Sequence, residues 1–180
     1  MFNTVLPYRL VQVKRNRFPL VESYLKEFIY TFYSQNRKAC IKYVVSVKTY
    51  EGGLMTLDFY PKAGVAKTNA LNQDIRYRLL TKQNAFGAIG GTILNIMDDM
   101  TARTGNTVWG FLAANLPDEM TNINNKRAKV YLEILRRTFT RKAQVFANKT
   151  NSTIFVVPSE IAGNIDNIMI QYEQIFTETN

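Results

Sequence analysis

Apolar and polar residues alternate with period two over residues 41–50, IKYVVSVKTY, and 54–60, LMTLDFY. In the first stretch Ile41, Tyr43, Val45 and Val47 fall on one side. Lys42, Ser46, Lys48 and Tyr50 fall on the other, with Val44 among them. In the second, Met55, Leu57 and Phe59 share a side. Side chains alternate across a strand, so both stretches are predicted strands. Glu51-Gly52-Gly53 between them predicts a tight turn that closes a hairpin. Shorter strand patterns occur at 5–14, where Pro7 holds the strand to an edge or to its beginning. Others occur at 75–80 (IRYRLL), at 107–113 around the only tryptophan, Trp109, and at 152–158 (STIFVVP).

Spacings of three and four residues mark the helices. Over 19–33, beginning at Pro19, Leu20, Tyr24, Phe28 and either Leu25 or Phe32 predict an aromatic-rich amphipathic helix, with Arg37 and Lys38 at its exit. Over 84–101, with Asn84 as cap, Phe86, Ile89, Ile93, Met97 and Met100 form an apolar stripe. Gly87, Gly90 and Gly91 in this helix cost about 1 kcal/mol each relative to alanine, which points to close backbone packing against the sheet. Over 126–142, KRAKVYLEILRRTFTRK, residues Ala128, Tyr131, Leu132, Leu135 and Phe139 fall on one side. A last helix after Ser159 carries Ile161, Ile165, Ile168, Tyr172 and Ile175. The connections are 61–74, 115–124 and a polar stretch at 143–151. Together these elements predict class α+β: an antiparallel sheet packed by helices on one face. They form a single domain over 1–180, in which 158–180 is an acidic helix or tail.

Length and composition fit that picture. A chain of 180 residues with 46% hydrophobic and 12% aromatic content can bury a core, which argues against disorder. No apolar run reaches the roughly 18 residues that span a bilayer. The N-terminus lacks the charged-then-apolar order of a signal peptide. One cysteine, Cys40, fits a reducing compartment. A soluble, cytoplasmic protein is expected.

Charge sharpens the reading. The net charge is +9. All 23 cations lie at or before Lys149, against 10 acids there, while residues 150–180 hold four acids and no cation. Such segregation points to a designated basic face and a polyanionic partner, though a basic excess also serves as a solubilising surface. The 126–142 helix alone has seven cations and one acid, Glu133. Lys126, Lys129, Arg136, Arg137 and Arg141 lie opposite its apolar stripe, with Val130 and Ile134 interrupting them. A second basic surface forms if the three central strands are neighbours. It combines Lys42, Lys48, Tyr50, Tyr60, Arg76 and Arg78. Cations between exposed tyrosines suit a single strand, neutralising phosphates while the rings stack on unpaired bases. An ordinary solvated sheet face has a similar composition.

The chemistry of catalysis is thinly represented. The absence of histidine removes every histidine-based triad, metal site and acid–base pair. The adjacent Asp98 and Asp99 have the character of Mg²⁺ ligands, but no third acid stands at motif spacing. GAIGG at 87–91 matches neither the dinucleotide fingerprint nor the P-loop. No enzyme activity, metal or cofactor is expected.

The order of hairpin 41–60, glycine-containing helix 84–101 and RAKVYLEILRR at 127–137 resembles small single-strand binders of the Whirly type. It is also similar to phage-encoded RNA-binding proteins associated with the jumbo-phage nucleus. The likeness covers about 100 residues, in order and composition, and the lysine-rich helix motif of plant Whirly proteins is missing. It implies RNA or single-stranded DNA binding, oligomers and, for a phage protein, the host cytoplasm. The expectation is therefore a non-catalytic binder of RNA, such as mRNA, or of single-stranded DNA. It would act through Lys42, Lys48, Tyr50, Tyr60, Arg76, Arg78, Lys126, Arg127, Lys129, Arg136, Arg137 and Arg141, with loose sequence preference. A homo-oligomer through the C-terminal helix, without membrane attachment, accompanies it. The alternative is a phage–host interaction or assembly protein whose basic face docks an acidic protein.

Overall fold

The computed structural model describes residues 2–18, 23–35, 40–62, 86–112, 143–148 and 153–177, together with residues 132, 135, 136, 138 and 139. The class is α+β. Among the described residues seven strands form one sheet: β1 (Tyr8–Arg15), β2 (Lys26–Gln35), β3 (Cys40–Thr49), β4 (Leu54–Lys62), β5 (Val108–Leu112), β6 (Ala143–Asn148) and β7 (Thr153–Pro158). Their order is β1-β2-β3-β4-β5-β7-β6. Helix α1 spans Phe86–Thr104 and α2 spans Ile165–Thr177.

The sheet is mixed, which corrects the antiparallel expectation. β4 and β5 run parallel over Leu54–Thr56, because α1 lies between them in sequence and carries the chain back before β5 begins. Two other expectations are overturned. Residues 26–35 form a strand and not part of a helix: Phe28, Tyr30 and Phe32 are buried at period two. The run FIYTFY consists of aromatic and β-branched residues, which pack well on a pleated surface. Residues 143–148 form β6 and not a polar connection, paired antiparallel with β7 from Ala143↔Pro158 to Asn148↔Thr153. The 75–80 strand, the 61–74 connection beyond Lys62 and the 115–124 loop lie outside the described residues.

The described chain divides into two compact units. One comprises Met1–Arg15, Lys26–Lys48 and Asp58–Gly105; the other comprises Asn16–Leu25, Thr49–Leu57 and Asn106–Asn180.

In the first unit, Phe28, Tyr30 and Phe32 of β2 and Tyr43, Val45 and Val47 of β3 are buried. The Phe32 and Tyr43 rings stack at 5.0 Å, placing both strands' buried residues on one side. Helix α1 hydrogen-bonds to that side. Tyr8 Oη donates to Asn95 Oδ1 at 3.1 Å, and Tyr30 Oη donates to Asp99 Oδ2 at 3.0 Å. The stripe Ile89, Ile93, Met97 and Met100 is buried as expected, joined by Ile96. Gly90 and Gly91 do permit a close approach, but the neighbour is residues 2–4. Thr92 holds this segment: its Oγ1 accepts the Leu6 N–H at 2.9 Å and donates to Ala88 O at 2.7 Å.

Tyr30 carries a pH prediction. Burial, and then Asp99, push its phenol from 10.0 up to about 12. The folded state therefore holds this proton more tightly than the unfolded chain does. The resulting stabilisation is complete below pH 10 and is lost as pH rises towards 12. Burial raises Tyr8, Tyr43 and Tyr172 as well. Tyr30→Phe should thus remove part of the alkaline loss, read as a smaller fall in urea midpoint between about pH 9 and pH 11.5 than in the wild type.

In the second unit, Leu54, Val108, Phe155, Val157, Ala162 and Tyr172 form a buried cluster. Tyr50, Phe146 and, from α2, Ile168, Met169 and Ile175 pack against it. The turn at Glu51–Gly53 forms as the sequence predicts, with Gly52 at φ 77° and Gly53 at φ 89°, where a β-carbon is strained. Tyr172 Oη donates to Gly52 O and ties α2 to this turn.

Candidate nucleic-acid interface

The side of the first unit's strands away from α1 gathers the candidate residues. In the β1–β2 register Arg9 stands opposite Thr31, Gln12 opposite Ile29 and Lys14 opposite Glu27. The register slips at Val11. A bulge inserts one residue and reverses which side follows it. It is this slip that puts Arg9, Gln12 and Lys14 on one side. Contacts carry the same side across β3. Lys14 Nζ lies 3.5 Å from Glu27 Oε2, Ser46 Oγ donates to Glu27 Oε1 at 2.6 Å, and Lys42 Nζ sits 5.7 Å from the Tyr33 ring centroid. The last is within cation–π range.

Lys42, Val44, Ser46 and Lys48 are half-buried along β3. On β4 the exposed residues are Asp58, Tyr60 and Lys62, alternating with half-buried Phe59 and Pro61. Although Asp58 keeps an accessible surface, partial desolvation by the strand atoms around it raises its carboxyl, while the Phe59 backbone N–H and the Lys48 charge lower it. β4 neighbours β3, and the Tyr50 N–H donates to Leu54 O at 2.9 Å where the hairpin closes. Counting back by alternation from that pair sets Asp58, Tyr60 and Lys62 on the side of the β3 lysines. Among the described residues β4 pairs with β5 only over Leu54–Thr56, so Pro61 interrupts no described ladder on that flank.

Among the described residues the surface thus carries five cations, Arg9, Lys14, Lys42, Lys48 and Lys62, against Glu27 and Asp58. Two half-exposed rings stand among them, Tyr33 at 49% and Tyr60 at 45%. Of the residues named from sequence, Lys42, Lys48 and Tyr60 are brought together here. Tyr50 is not: it is half-buried against the second unit's core. Arg136 is exposed and helical in the second unit, where Leu135 is buried and Leu132 and Phe139 are half-buried, matching the stripe read from the sequence. Arg76, Arg78, Lys126, Arg127, Lys129, Arg137 and Arg141 lie outside the described residues. Arg9 and Tyr33 were missed: the first depends on the bulge, and the second was hidden in the predicted helix. Lys62 was visible in sequence, but as part of a connection.

Thr31 lies under this surface, 5% exposed, with its Oγ1 unpartnered among the described residues. A buried hydroxyl without a partner costs about 1–3 kcal/mol. Thr31→Val keeps the shape and removes that cost. It should raise stability by about 1 kcal/mol, read as a higher urea midpoint at unchanged slope.

Among the described residues no third acid joins Asp98 and Asp99. Asp99 accepts the Tyr30 hydrogen bond and pairs with Arg103 at 3.7 Å, and Asp98 is exposed. Among the described residues no group of three acidic or cysteine side chains is placed to hold a metal. No described helix is long and apolar enough to cross a membrane. No protein-family model, curated protein or solved structure matches the chain.

Proposed function

We propose that the protein is a non-catalytic binder of single-stranded nucleic acid, RNA or DNA, and that the β1–β4 surface is its track. The observation that carries this reading is the presence of Tyr33 and Tyr60 between Arg9, Lys42 and Lys62 on one side of adjacent strands. Cations on such a surface neutralise phosphates, and exposed rings stack on bases that are not already paired. A duplex offers no free base faces, so single strands are preferred. Contacts to phosphate and ring faces carry little sequence information, which gives loose specificity. The resemblance to Whirly-type and jumbo-phage RNA-binding proteins points the same way, and the reading goes with a cytoplasmic protein. The basic helix around Arg136 is a second contact surface.

Fluorescence polarisation with labelled single-stranded RNA, single-stranded DNA and duplex oligonucleotides tests the reading. Binding should be tight at low salt and fall steeply with added salt. Arg9→Glu with Lys62→Glu should weaken it at least about tenfold and flatten the salt slope. Arg136→Glu with Arg137→Glu should do the same if the helix shares the load. A wild-type protein that binds none of these at low salt would remove the reading and leave an acidic protein as the partner of the basic surface.

A further inference from the structure

Thr31 of β2 is 5% exposed, yet its Oγ1 has no hydrogen-bond partner among the described residues. Buried hydroxyls are almost always paired, so an orphan needs a reason. A donor is close by. Arg9 stands directly opposite Thr31 in the β1–β2 register, with an exposed side chain, and it gives the hydroxyl no hydrogen bond. Tyr33 follows two residues along β2 on the same side, 49% exposed, with Lys42 Nζ 5.7 Å from its ring centroid. Positions two apart on a strand are separated by about 7 Å. A base laid on the Tyr33 ring therefore brings its edge over Thr31 and Arg9, whose exposed neighbours can turn aside as it enters.

We infer that Thr31 and Arg9 together read the edge of a base stacked on Tyr33, and that this base carries a keto group, guanine above all. The inference rests on the single-strand binding proposed above. Its chemistry follows from the two side chains. Arginine has donors only, and its fork fits two adjacent acceptors, which O6 and N7 of guanine provide. Beside O6 stands the guanine N1–H, a donor that the Thr31 hydroxyl accepts. In an unpaired base this edge is open. Adenine and cytosine carry an amino group where guanine has O6, so donor would face donor at Arg9. Uracil and thymine set a keto group next to an N–H but offer Arg9 one acceptor instead of two, and rank between. The free protein bears the cost of the orphan hydroxyl, and the complex removes it. One position of the strand is read in this way, and the rest is held loosely.

Fluorescence polarisation of the full chain with two labelled strands of one length tests this. One strand is adenine throughout, and the other has isolated guanines among the adenines. The guanine strand should bind about tenfold more tightly, the size of one good base contact. Thr31→Val keeps the shape and removes the hydroxyl. It should bring the ratio of the two affinities down to about one, in a protein whose urea midpoint shows it folded. Thr31→Ser should restore most of the preference. Arg9→Lys keeps the charge but loses the fork, so it should lower the ratio with a salt slope near that of the wild type. A wild type that binds both strands equally would overturn the inference and leave single-strand binding in place. So would a preference that Thr31→Val retains, since another group would then read the base. A wild type that binds neither strand at low salt would remove the inference together with the reading it rests on.

Discussion

Replacing Tyr33 and Tyr60 together with alanine should weaken binding of a single-stranded oligonucleotide by about thirtyfold or more. Each ring stacked on a base contributes about 1–3 kcal/mol, and a factor of ten in affinity corresponds to about 1.4 kcal/mol. Both rings are half-exposed, so their removal leaves little buried surface unfilled. The fold should therefore tolerate it. The salt slope should stay near the wild-type value, because no cation is lost. That combination, lower affinity at constant slope, separates stacking from charge. The Arg9→Glu, Lys62→Glu protein should show the reverse emphasis. Loss of slope without loss of stacking would appear there as a binding curve that salt no longer shifts as far. An alanine double variant with wild-type affinity would mean that the rings are only part of a solvated face.

Gly91→Ala should destabilise the protein by about 2 kcal/mol. A methyl group on Gly91 would come well inside 3.0 Å of two backbone oxygens, Phe2 O and Thr4 O. Overpacking costs about 1–3 kcal/mol and more where backbone must move. The helix gains about 1 kcal/mol from alanine, which offsets only part. Gly90→Ala is the control. There the added atom meets the Phe2 ring, a side chain that can swing away, so the loss should be smaller. Urea midpoints rank the two. Hydrogen exchange adds a sharper reading: in the Gly91 variant the Leu6 N–H, held by Thr92 Oγ1, should lose protection first.

The hairpin at 40–62 was legible because its two strands alternate cleanly and its turn needs positive φ at Gly52 and Gly53. Helix α1 was legible for a similar reason, its stripe recurring at spacings of three and four residues that match no strand. β2 was not. In FIYTFY every position is aromatic or β-branched, so both periods find matches, and Leu20, Tyr24 and Phe28 supplied a helical one. The composition favours a strand, and pairing with β1 on one side and β3 on the other settled it. β6 was hidden by its polar residues, since AQVFAN becomes a strand only by pairing with β7. The parallel β4–β5 pair depends on a crossover that no local pattern records. In the interface, Lys42 and Lys48 followed from alternation. Arg9 could not, because a single-residue slip at Val11 decides which way it points.

The hydrogen bond from Tyr172 to Gly52 has a kinetic consequence. It joins residues 120 positions apart. The turn at Glu51–Gly53 leaves the ribosome long before α2 is synthesised, and closing so long a loop costs entropy before any contact repays it. Leu54 shares that fate, since its core neighbours Val108, Phe155 and Tyr172 all come later in the chain. The β3–β4 hairpin therefore waits, with its apolar end uncovered, while more than half of the protein is made. Contacts of such long sequence separation make folding slow. During that interval the nascent chain is at its most prone to aggregate, and Leu54 and Met55 are the residues a chaperone would find exposed.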